Sequence, residues 1–70
     1  MMTENQLKHF YESALVELPK GTKVNPKILF SDEPNYIYRA DNIHALRQRL
    51  TRLSQRGLFR MVGEDEWERM

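Results

Sequence analysis

The chain has 70 residues, 40% of them hydrophobic and 30% charged, with no cysteine and a formal net charge of +1. That is room for one hydrophobic core, so residues 1–70 are expected to form a single domain, and the apolar content is too high for a disordered tail. Disulfide and thiolate-metal chemistry is excluded. A cytoplasmic location is the expectation, because the start lacks a signal-like apolar run and nothing approaches the roughly 20 apolar residues that span a bilayer.

Thr3 followed by Gln6 reads as a capping box, and Leu7, Phe10, Tyr11, Ala14, Leu15 and Leu18 keep helical spacing. This predicts helix one from about Glu4 to Glu17, ended by Pro19 and Gly21. Residues 21–24 can form a very short extended piece. Asn25-Pro26 then reads as an N-cap with proline at the first helical position, opening a short helix two that carries Ile28, Leu29 and Phe30. Asp32-Glu33-Pro34-Asn35 is a cluster of turn residues that stops it near Ser31.

Tyr36-Ile37-Tyr38 is expected as a strand fragment or an apolar loop over the core. Asp41 is expected to cap helix three, residues 42–56, in which Ile43, Leu46, Leu50 and Leu53 form the apolar stripe and Gly57 supplies a left-handed terminus. Leu58 to Val62 has strand composition, residues 63–65 suit a turn, and Glu66 to Met70 alternates as a returning strand. Such a hairpin is barely stable alone and must lean on the helices through Phe59, Met61 and Trp67. The fold class is α+β: three helices followed by a C-terminal β-hairpin.

This order, and above all Leu46-x-x-x-Leu50-x-x-Leu53-x-x-x-Gly57-Leu58-Phe59, resembles the winged helix-turn-helix superfamily. The resemblance implies a winged-helix-like fold whose third helix enters the major groove of double-stranded DNA. Two features depart from the pattern. About nine residues separate helix two from Asp41, where a tight turn is usual, and the wing tip, Glu64-Asp65-Glu66, is acidic.

Charge is segregated along the chain. Between Arg39 and Arg60, six arginines face one acid, Asp41, a balance of +5; from Gly63 onward four acids face one base, a balance of −3. At 100° per residue, the face opposite the stripe is His44, Gln48, Thr51, Arg52 and Gln55, with Ala45 beside it. Gln48 suits adenine and Arg52 guanine, while His44 and Thr51 can donate to base edges or phosphates. Arg39, Arg47, Arg49, Arg56 and Arg60 are the candidate phosphate contacts.

The functional expectation is a small DNA-binding transcriptional regulator, with a homodimer packed through helix one as a natural assembly. The alternative is a winged-helix-shaped interaction module that binds or inhibits a protein partner in a nucleic-acid-processing complex. The residues form no nucleophile–base pair or metal-ligand set, so neither enzyme nor metal or other cofactor is expected. Tyr36, Tyr38 and Trp67 are candidates for an aromatic patch, with Trp67 and one tyrosine expected in the core.

Overall fold

In a computed structural model that describes residues 2–70, the chain is α+β, with helices α1 (Glu4–Lys8), α2 (Glu12–Glu17), α3 (Pro26–Leu29) and α4 (Tyr36–Gln55). Three short strands, β1 (Lys23–Val24), β2 (Phe59–Gly63) and β3 (Glu66–Arg69), form an antiparallel sheet in the order β1-β3-β2.

The expected helix one is two helices, and the reason lies in tertiary packing. The Thr3–Gln6 capping box forms, but His9 ends α1: its ring Nδ1 hydrogen-bonds the Asn5 carbonyl at 2.7 Å, while its backbone N–H turns to Gln6. The ring thus takes the acceptor that a continuing helix would use. The break places Phe10 in the core, edge-on to Phe30 with ring centroids 5.8 Å apart, and turns Tyr11 outward to start α2. A continuous helix one able to pair across a two-fold axis is therefore not present.

Helix three starts six residues earlier than expected. Asn35, not Asp41, is the N-cap; its side chain accepts from the N–H groups of Ile37 and Tyr38 at 3.1 and 3.0 Å. Two satisfied backbone donors at Asn35 outcompete the cap expected at Asp41, and nothing between Tyr36 and Asp41 breaks a helix. Tyr36-Ile37-Tyr38 is accordingly a first helical turn instead of a strand or loop. The stretch between α3 and α4 shrinks to residues 30–35.

At the other end the expectation holds in detail. Gly57 has φ +79°, its N–H donates to Ser54 and that of Leu58 to Leu53, the paired bonds of a Schellman motif. That turn delivers Phe59 straight into β2.

The hairpin forms as expected and gains a third strand. Val24 pairs with Trp67 and Lys23 with Glu68, so β3 lies in the middle of the sheet and Trp67 is buried, 4% exposed. Phe10, Leu15, Val24, Phe30, Leu46, Leu50, Leu53, Phe59 and Trp67 make up the core. Of the expected stripe, Leu46, Leu50 and Leu53 are fully buried and Ile43 is partly buried against them. Arg69 ties the halves together: its guanidinium donates to the carbonyl of Val16 at 3.0 and 3.2 Å and to that of Leu58 at 3.3 Å.

Candidate nucleic-acid interface

Burying Leu46, Leu50 and Leu53 forces the opposite side of α4 into solvent, since helical positions half a turn away cannot reach the same core. His44, Gln48, Thr51, Arg52 and Gln55 are all exposed. Together with Arg47 they line one shallow depression of about 380 Å³. Within it Gln48 Nε2 lies 3.2 Å from His44 Nε2, and the Thr51 hydroxyl donates to the Arg47 carbonyl at 2.8 Å. The Thr51 hydrogen is thereby used within the helix, leaving its oxygen as an acceptor. Ala45 is half-buried beside this face.

The early start of α4 adds two residues to the face. At 100° per residue Ile37 and Asp41 continue the line of His44 and Gln48 toward the N-terminus, and both are exposed. Asp41, expected as a cap, becomes a surface carboxylate on the candidate contact face, of the type that accepts from the cytosine amino group.

The arginines behave very differently from a uniform basic block. Arg47 makes a two-point pair with Asp65 in the turn between β2 and β3, Nε to Oδ1 at 2.6 Å and Nη2 to Oδ2 at 3.0 Å. The Asp65 hydrogen bond, reinforced by its charge and opposed by desolvation, raises the Arg47 guanidinium above its ordinary pKa. Arg52 bonds Glu12 of α2 at 2.9 Å. Arg60 bonds the cross-strand Glu68 at 2.8 and 3.0 Å.

Arg39 donates to the Glu33 carbonyl at 2.5 Å, closing the turn before α4. Arg49 turns toward the core, its guanidinium 4.3 Å from the centre of the Phe10 ring and 5.5 Å from that of Tyr11. Arg56, the C-cap residue of α4, is exposed, and among the described residues no ion pair involves it. Of the ten expected contact residues, six are thus gathered into one depression, and Arg39, Arg49, Arg56 and Arg60 lie outside it.

The acids that hold these arginines were not anticipated. Asp65, Glu12 and Glu68 come from the turn between β2 and β3, from α2 and from β3. For Asp65 and Glu68 the signal is the opposed charge blocks, +5 followed by −3, which the fold brings into pairing; for Glu12 the sequence carries none. Asp65 also sits at φ +53°, a left-handed position that aspartate tolerates better than most side chains.

The aromatic patch does not assemble. Trp67 belongs to the core, whereas Tyr36 is 70% exposed on the first turn of α4. Among the described residues there is no cluster of three or more His, Asp or Glu side chains suited to a metal, and no helix long and apolar enough to cross a membrane. No protein-family model matches the chain, and no curated protein or solved structure matches it either.

Proposed function

We propose that this chain is a small winged helix-turn-helix protein that binds double-stranded DNA through the outer face of α4 and acts in transcription regulation. The carrying observation is the depression on that face, in which His44, Gln48, Thr51, Arg52 and Gln55 stand exposed along the side of α4 opposite its buried leucines. These are side chains that read base edges, on a helix of a size that a major groove admits. The order of elements, with β1 completing the sheet beside the hairpin, supports the winged-helix assignment. Arg56, exposed at the C-terminal end of α4, is the arginine that supplies phosphate attraction.

Fluorescence polarisation with labelled duplexes at low salt tests this reading. The pair Gln48→Ala with Arg52→Glu is expected to weaken sequence-specific binding at least tenfold, since each good bidentate base contact is worth about 1–3 kcal/mol. The helical circular dichroism should be retained, because both side chains are exposed. Failure of the wild-type protein to bind any duplex at low salt would overturn the reading, as phosphate attraction is strongest there.

A second reading is favoured by a specific observation. Three arginines between Arg39 and Arg60 are held by carboxylates, while Ile28, Tyr36, Ile37 and Met61 are exposed apolar side chains. A module that binds or inhibits a protein partner in a nucleic-acid-processing complex would use such a surface. Co-purification from the native host of one stoichiometric protein that survives nuclease treatment supports this alternative; loss of all partners on nuclease treatment removes it.

A further inference from the structure

We propose that Arg47 is a phosphate-binding side chain whose seat on the face of α4 is filled, in the free protein, by the carboxylate of Asp65. This rests on the DNA-binding reading above and specifies how the wing takes part in it. The acidic wing tip then governs affinity, and nucleic acid gains Arg47 only by displacing Asp65.

The geometry is that of an anion site with its anion in place. Nε and Nη2 of Arg47 each point at a different oxygen of Asp65, at 2.6 and 3.0 Å, the parallel fork that guanidinium offers equally to two oxygens of a phosphodiester. Arg47 lines the same depression as His44, Gln48 and Thr51, so a phosphate in that seat lies beside the base-reading side chains. The contact spans 18 residues of chain and joins the hairpin tip to the middle of α4.

The comparison with Arg52 shows why Asp65 is special. Glu12 holds Arg52 through one bond, with both partners well exposed, 56% and 41%, so water and salt compete freely for that pair. The Asp65 side chain is only 9% exposed and is bound at two points. Asp65 also holds a left-handed backbone, φ +53°, at the turn between β2 and β3. An incoming phosphate therefore exchanges one two-point ion pair for another while Asp65 returns to water. The net gain is small, which keeps affinity for arbitrary DNA low and couples contact at this seat to release of the wing tip.

The test replaces the acid while keeping its shape. Asp65→Asn retains a residue that tolerates the left-handed backbone and removes the charge. With a short mixed-sequence duplex, the variant is expected to bind roughly tenfold more tightly at low salt, with a salt slope steeper by about 0.9, the signature of one added phosphate contact. Glu12→Gln should change affinity less than about twofold, as befits an exposed pair. Arg47→Gln in the Asp65→Asn background should erase the gain. Unchanged affinity and slope in Asp65→Asn, or a gain that survives Arg47→Gln, overturns the proposal while leaving the DNA-binding reading intact.

If neither protein binds duplex, the DNA reading fails by itself and the seat is read directly. The Arg47 Nε–H resonance is followed while inorganic pyrophosphate is added. A shift in Asp65→Asn that is absent from wild type supports the masked seat; equal responses, or none in the variant, overturn it.

Discussion

Gly57 connects α4 to the β2–β3 hairpin through one backbone angle. Its φ of +79° is costly for any residue with a Cβ, yet a Cβ built there meets nothing within 4 Å. The cost of Gly57→Ala is therefore backbone strain alone, expected at about 1–2 kcal/mol. Urea unfolding should show a lower midpoint with an unchanged slope, because the surface exposed on unfolding does not change. This residue was legible in advance: a glycine after a leucine-patterned helix reads as a left-handed cap, and the two Schellman bonds follow from that angle. Asp65 was not, because its role depends on a partner 18 residues away.

At the scale of elements, the cap of α4 separates two readings of the same stretch. Asn35 accepts from two backbone N–H groups, whereas Asp41 is an exposed interior position. Asn35→Ala should cost about 1 kcal/mol and speed hydrogen exchange at the Ile37 and Tyr38 amides. Asp41→Ala should cost nothing, since alanine is the better interior helix residue. In sequence Asn35 reads as the last of a cluster of turn residues and Asp41 as the cap, although both residue types can cap a helix. The choice falls to the earlier one because residues 36–40 have no proline or glycine and extend the helix without interruption. The break between α1 and α2 runs the other way: periodicity there is unbroken, and the helix divides where the His9 ring takes the Asn5 carbonyl and Phe10 packs against Phe30 and under Arg49.

For the molecule as a whole, the sheet and the helices share one apolar core, to which Val24, Phe59 and Trp67 contribute from the strands, and Arg69 adds polar ties across the same junction. Arg69 on the central strand donates to the carbonyls of Val16, in the last turn of α2, and of Leu58, just before β2. Arg69→Ala leaves both without that donor and is expected to cost about 2 kcal/mol, within the range for hydrogen bonds to a charged group. Trp67 supplies the readout: buried on the same strand, its emission should shift to the red in one transition that coincides with loss of helical signal. Wild type and Arg69→Ala should differ in midpoint while keeping that coincidence.

What the sequence determined by itself was local. Helical propensity, the Thr3–Gln6 box, the Asn25-Pro26 start, the Gly57 stop and the period that turns Leu46, Leu50 and Leu53 inward all act between residues close in the chain. The exposed face His44, Gln48, Thr51, Arg52, Gln55 follows from them by geometry. Only the tertiary structure decided where α1 ends, that β1 joins the hairpin, and that Arg47, Arg52 and Arg60 meet carboxylates from other elements. Periodicity carries no information on which distant charges will meet; that depends on how closely the fold brings two chain segments together, because Coulomb attraction depends on distance and on the exclusion of water. Of the six arginines between Arg39 and Arg60, the folded chain pairs Arg47, Arg52 and Arg60 with carboxylates, and Arg47 is held by Asp65 of the turn between β2 and β3.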